Sequence, residues 1–98
     1  MQQRVDRLRA ALAEQDLPAM LVGAPSNRRY LSGFSGSYGW LVVTSNEAFI
    51  LTDSRYRLQS ANESPNFSLR EIVSPGRAMP DLVKEICGEL GINRLGFE

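Results

Sequence analysis

Trp40-Leu41-Val42-Val43-Thr44-Ser45-Asn46-Glu47-Ala48-Phe49-Ile50-Leu51-Thr52 is the stretch that decides the fold. Two apolar, strand-forming runs, Trp40–Thr44 and Ala48–Thr52, flank the polar triplet Ser45-Asn46-Glu47. Such runs around a short polar break read as a β-hairpin. Everything around this pair alternates helix with strand, so the hairpin makes the sheet mixed rather than purely parallel.

Upstream, Val5, Leu8 and Leu12 recur at helical spacing, with Arg4, Arg7, Arg9 and Glu14 on the other side. That pattern predicts an amphipathic helix over 2–15. Leu17-Pro18 ends it, because proline restricts the residue before it. Ala19-Met20-Leu21-Val22-Gly23 is continuously apolar and reads as a strand buried on both faces. Pro25-Ser26-Asn27 is a turn offering Ser26 or Asn27 as a helix cap. Arg28–Leu31 is then a short helix stopped by Gly33 at the position that favours a left-handed residue. Ser32–Gly39 is a run of small residues around two aromatics.

Downstream, Asp53-Ser54 reads as the cap of a helix from Arg55 to Ala61. Residues 62–66 form a loop, and Phe67–Ile72 a strand with Phe67, Leu69 and Ile72 inward. Ser74-Pro75-Gly76 breaks the chain. Pro80-Asp81 opens a helix, since proline is tolerated at its first position and aspartate suits the positive dipole end. Leu82, Val83, Ile86 and Leu90 form its apolar stripe, and Gly91 ends it. Arg94–Glu98 opens one more strand. The order α-β-α-ββ-α-β-α-β predicts an α/β domain, a mixed sheet with helices on both faces.

Composition narrows the classes. Ninety-eight residues make one domain or part of one. At 43% hydrophobic and 22% charged, the chain is ordinary globular material, with a core of modest size. Eleven basic and 11 acidic residues balance to zero, which argues against a nucleic-acid or polybasic membrane surface. The apolar runs fall far short of the ~20 residues a membrane helix needs. The start of the chain has no signal-peptide pattern. One cysteine, Cys87, excludes an internal disulfide framework and fits a reducing, cytoplasmic compartment. There is no histidine, so imidazole catalysis and histidine metal ligation are excluded within this chain.

Few residues here carry chemistry. Gly33, Gly36 and Gly39 lack phosphate-loop spacing and lead from a helix into a strand. They read as a tight loop needing positive φ. Asp81, Glu85 and Glu89 stand at i, i+4 spacing and read as solvated. Cys87, beside Ile86, reads as a buried small hydrophobe. Asp53 and Arg55 read as a cap with an ion pair, or as ligand contacts. Trp40 is either core or an exposed aromatic rim. Phe34 is expected inward and Tyr38 near the surface.

Two segments go further. Asn27-Arg28-Arg29-Tyr30-Leu31-Ser32-Gly33-Phe34-Ser35-Gly36-Ser37 resembles the N-R-x-Y-L-[ST]-G-F-[ST]-G-S segment of the creatinase/prolidase/aminopeptidase P family. Thr52-Asp53-Ser54-Arg55-Tyr56-Arg57-Leu58-Gln59 resembles that family's T-D-[GS]-R-Y-x-x-Q pattern, the form of its aminopeptidase P-like members. Arg7–Leu12, Leu17–Val22 and the closing Leu95-Gly96-Phe97-Glu98 also fit, so the likeness covers nearly the whole chain.

The resemblance implies the family's N-terminal, non-catalytic domain, with a ribonuclease H-like layout. Residues 1–98 are then expected to be a truncated form of that domain, and the "pita-bread" catalytic domain lies outside this chain. No catalytic residue, metal ligand or cofactor carries over to any position here. The parent is expected to hold two divalent ions (Mn, Co or Zn) in the other domain and to cleave Xaa-Pro bonds. The implied partners are its own catalytic domain, a second subunit in a homodimer or other homo-oligomer, and short proline-containing peptides; no nucleic acid and no membrane are expected. A prolidase acting on Xaa-Pro dipeptides, and a non-catalytic binding relative, are the alternatives. In the family this domain helps associate subunits and narrows the active-site mouth. Tyr38, Trp40, Asp53 and Arg55 are the residues expected at such a substrate rim or subunit contact.

Overall fold

The computed structural model describes residues 2–73 and 78–97, apart from the side chain of Gln2. The hairpin stands as expected: β2 (Trp40–Thr44) pairs antiparallel with β3 (Ala48–Asp53), Trp40 opposite Leu51 and Val43 opposite Ala48. Thr44 closes the turn. Its Oγ1 accepts from the Glu47 N–H at 2.8 Å, and its own N–H donates to the Glu47 carbonyl at 2.8 Å. Arg9 of α1 (Gln2–Glu14) reaches across to the same turn, donating to the carbonyls of Thr44 at 2.7 Å and Glu47 at 3.1 Å.

β1 (Ala19–Val22) lies antiparallel to β2, and β5 (Gly96–Phe97) runs parallel to β1 on its far side. β4 (Ser68–Ile72) runs parallel to β3. The sheet order is β4-β3-β2-β1-β5, a mixed five-stranded sheet. Strand alternation splits the core in two. On one face Val42, Phe49 and Leu51 pack against Met79, Leu82, Val83 and Ile86 of α4 (Met79–Leu90). On the other, Val22, Leu41 and Ile50 pack with Leu31 and Phe34, and Leu8 of α1 leans on them. Leu31 belongs to α2 (Pro25–Ser32); Phe67 and Leu69 cover the same face next to α3 (Arg57–Glu63). Helices therefore flank both faces.

Several local expectations need correction. α2 begins at Pro25, not at Arg28, and its cap residue is Ala24, with no side-chain cap bond; proline's fixed φ starts the helix instead. Asp53 caps a 3-10 turn, Ser54–Tyr56, which leads into α3. Ile72 points to the α4 face, opposite Phe67 and Leu69, because residues an odd number apart on a strand face opposite ways. Leu90 leaves the α4 stripe and is 40% exposed. Gly33 (φ 83°) and Gly91 (φ 68°) are left-handed helix ends, as expected. Gly36 and Gly39 are not at positive φ; what they supply is space, as shown below. Cys87 is only half-buried against the α4 core, and that burial pushes its thiol pKa up. Asp81, Glu85 and Glu89 are exposed, as expected; Asp81 also caps α4 by accepting from the Ala78 N–H at 2.9 Å, and Glu89 pairs with Arg70. The break at Ser74-Pro75-Gly76 falls outside the described residues.

Candidate functional site

The most unusual chemistry gathers where α2 runs through Gly33 into β2. Residues 34–39 make no turn or loop backbone–backbone hydrogen bond. Side chains hold them instead. The Phe34 N–H donates to Ser32 Oγ at 3.0 Å, and the Ser35 N–H to Glu63 Oε1 at 2.9 Å. Ser35 Oγ also donates to Glu63 Oε2 at 2.9 Å, and Gln59 donates to both residues. These donors, the Ser35 backbone first, hold the Glu63 carboxyl below its ordinary range. Thr52 Oγ1 donates to the Tyr38 carbonyl at 2.6 Å, and Ser37 Oγ shares a 2.5 Å hydrogen bond with the Tyr56 hydroxyl.

Arg28 is the central tie. It is 5% exposed, yet it is an arginine. Its Nη1 donates to the Gly39 carbonyl at 2.6 Å and its Nη2 to the Gly36 carbonyl at 2.7 Å. Burial pulls its pKa below the ordinary guanidinium value. Phe34, wholly buried, meets the Tyr56 ring edge-on at 5.5 Å. Gly36 lies directly on that phenyl ring: a Cβ there would sit 2.3 Å from Phe34 Cζ. A Cβ on Gly39 would sit 3.1 Å from the Leu51 carbonyl. Above this loop is an open cavity of about 380 Å³, lined by Ser26, Arg28, Arg29, Ser35, Gly36 and Ser37 among others.

The four residues expected at a rim do not all share one setting. Tyr38 is 39% exposed at the tip of the loop. The register continued two residues beyond Trp40↔Leu51 sets it across from Asp53. Asp53 accepts from Arg55 Nε at 3.0 Å and from Nη2 at 2.8 Å, and its Oδ1 also caps the Arg55 N–H. That pairing holds the Asp53 carboxyl low and the Arg55 guanidinium high. Arg55 also stacks over the Tyr56 ring at 5.1 Å. Asp53, Arg55, Tyr56 and Ser37 thus form one polar group, and Tyr38 lies across from Asp53 through the extended register. Trp40 stands apart: it is half-buried and packs with the α4-side core.

Arg28, Glu63 and Tyr56 are the residues that sequence reasoning missed. The signal for Arg28 was present. It shares a helical face with Leu31 and Ser32, at i, i+3 and i+4, and precedes a loop whose carbonyls need donors. Among the described residues, no group of three or more His, Cys, Asp or Glu could hold a metal ion. No helix among them is long and apolar enough to cross a membrane.

Comparison with known proteins follows this geometry. The profile of the creatinase/prolidase N-terminal domain matches residues 4–98. A putative Xaa-Pro aminopeptidase of Mycoplasma genitalium is 34% identical across the whole chain, and the uncharacterized peptidase YqhT of Bacillus subtilis is 32% identical over 97% of it. The chain spans only about a quarter of the length of these relatives, 27% and 26%. Among solved structures, the N-terminal domain of the cytoplasmic peptidase PepQ of Mycobacterium tuberculosis superposes with a TM-score of 0.86 at 41% identity, over 98% of this chain and 72% of that one. An Xaa-Pro dipeptidase of Bacillus anthracis superposes at 0.89 with 29% identity, over 99% of this chain and 26% of that one. With the sheet order, the pinned loop and both motifs in place, the chain belongs to the creatinase/prolidase N-terminal domain family.

Proposed function

We propose that this chain is the N-terminal domain of an aminopeptidase P-like, metal-dependent enzyme that hydrolyses Xaa-Pro peptide bonds. The observation that carries it is the 34% identity, over the full chain, to a putative Xaa-Pro aminopeptidase. Hydrolysis belongs to a separate catalytic domain with two divalent metal ions, which activate water and polarise the scissile carbonyl. Among the described residues no cluster of His, Cys, Asp or Glu would provide ligands for them. The chain's own contribution is a surface. Tyr38, Asp53 and Arg55 face either the substrate at the active-site mouth or a neighbouring subunit, and half-buried Trp40, packed on the α4 side, adds to that surface through its exposed edge. The partners are its catalytic domain, a second copy of the protein, and short proline-containing peptides, in the cytoplasm. An Xaa-Pro dipeptidase is the second reading, favoured by the superposition on the Bacillus anthracis enzyme.

The test uses the parent enzyme with Tyr38→Ala and Trp40→Ala made separately. A rim or contact role gives altered kcat/KM on Xaa-Pro peptides, or altered association, with a melting shift of a few degrees at most. Normal kinetics with a large loss of stability returns the residue to the core. The 98-residue chain alone is expected to show no peptidase activity with any divalent metal; turnover above metal-free controls refutes the division of labour.

A further inference from the structure

The loop 34–39 has the composition of a flexible hinge, with two glycines and two serines among six residues. It also lacks turn and loop backbone–backbone hydrogen bonds of its own. Its shape must come from elsewhere. Gly36 and Gly39 are not in the left-handed region, so no unusual backbone angle fixes it.

Arg28 supplies what is missing. A guanidinium has five N–H donors in a rigid plane. Here it spans the loop, with one nitrogen on Gly36 and another on Gly39, the two carbonyls bracketing Ser37 and Tyr38. Both distances are those of charge-assisted bonds. Among the described residues no carboxylate pairs with Arg28, and its Nε has no partner. Burying an unpaired cation is costly. A side chain placed for stability alone would gain more as an apolar residue of this size. The cost is offset by the two loop carbonyls, for which no other donor is seen among the described residues, and by the Phe34 ring, over which the guanidinium lies at 5.9 Å.

We propose that Arg28 is the positioning residue of the Gly36–Gly39 loop, whose buried guanidinium makes the segment carrying Ser37 and Tyr38 a fixed wall rather than a moving lid. Its bearing on catalysis rests on the rim reading above; its hold on the loop does not. The Thr52–Tyr38 and Ser37–Tyr56 bonds then act on a segment already fixed at both ends.

The experiment is amide hydrogen exchange on the parent enzyme with Arg28→Gln and Arg28→Lys, with kinetics on the same samples. In Arg28→Gln, exchange at the Phe34 and Ser35 amides, which donate to Ser32 and Glu63 at the head of the loop, is expected to rise about tenfold or more, the equivalent of one lost bond to a charged group. The α4 amides, which report the core, stay within about threefold. Arg28→Lys recovers part of the protection, because an ammonium reaches one carbonyl but cannot bridge two. KM for Xaa-Pro peptides rises more than kcat falls. Unchanged exchange at Phe34 and Ser35, or an equal rise in the loop and α4, overturns the proposal. If Arg28→Gln does not fold, the same loop-against-α4 comparison on Arg28→Lys decides. A loop that loosens while KM holds leaves the Arg28 assignment standing and refutes the rim reading instead.

Discussion

Gly36→Ala adds one methyl group where the structure has no room for it. The new Cβ would lie 2.3, 2.7 and 3.0 Å from Phe34 Cζ, Cε2 and Cε1, all well inside van der Waals contact. Two responses are open. The Phe34 ring can move, but it is wholly buried among Val22, Leu31, Leu41 and Ile50 and meets Tyr56 edge-on. Forcing it aside is overpacking, which costs about 1–3 kcal/mol. Alternatively the loop lifts, and then the 2.7 Å bond from Arg28 to the Gly36 carbonyl breaks. Losing a hydrogen bond to a charged group costs about 1.5–3 kcal/mol. Either route leads to roughly 2–3 kcal/mol, a drop of about 10–20 °C in melting temperature for a domain of this size. Gly88→Ala is the internal control. It lies on the exposed side of α4 with nothing within 4 Å of its would-be Cβ, and φ is not positive there. Helix propensity alone then stabilises by up to about 1 kcal/mol. The assay is thermal melting by far-UV circular dichroism, with the single tryptophan, Trp40, as a second probe. A Gly36→Ala protein melting within about 2 °C of wild type, beyond the resolution of the effect claimed, would refute the packing argument.

Acid should destabilise the protein in one direction only. Asp53, paired with Arg55, Glu63, bonded to the Ser35 N–H, Glu71, paired with Arg57, and Glu89, paired with Arg70, all sit below their ordinary carboxylate values. The unfolded chain therefore takes up these protons first. The stability they contribute is full above the unfolded values, near pH 4, and disappears as the pH falls through the lower native ones. With no histidine to titrate, melting temperature should be flat between about pH 5.5 and 8 and fall below about pH 4.5; a slope inside the plateau would show that another group dominates. Glu63→Gln should shrink the acid-side fall, read from the same melts, because the depressed carboxyl is gone. Cys87, half-buried with a raised thiol pKa, should react with a thiol reagent several-fold more slowly in native than in denaturing buffer; equal rates would place it at the surface.

The fold was legible because its signals are local. The Trp40–Thr52 hairpin is two β-branched runs around a polar break, and it survives intact. Gly33 and Gly91 end helices in the left-handed region, as a glycine after an apolar stripe suggests. What misled was local chemistry with several solutions. Ser26 and Asn27 are good caps, but Pro25 already starts a helix, so they sit inside its first turn. Leu90 completes an i, i+4 stripe with Ile86, yet it lies beside the Thr44–Glu47 turn in an open pocket and stays 40% exposed.

The candidate site was legible only in part, and for one physical reason: its organising residue is a charge in the interior. Composition rules place arginine outside, and Arg28 stands beside Arg29, which is exposed. The spacing to Leu31 and Ser32 points to Arg28 as the one that turns inward, but not to what it meets there. The answer lies in the partners, which come from non-local chain. Two loop carbonyls, eight and eleven residues on, need donors that no strand or turn supplies. A buried backbone acceptor without a donor costs as much as a lost hydrogen bond. The carbonyl demand and the cation's own desolvation penalty cancel only when they meet. The glycines follow from the same arrangement: once the loop is drawn down onto Phe34 by Arg28, only a residue without a Cβ fits at Gly36. Gly36 and Arg28 are thus two halves of one constraint. Changing either should release Ser37 and Tyr38 in the same way, and the double substitution should cost less than the two single losses added together.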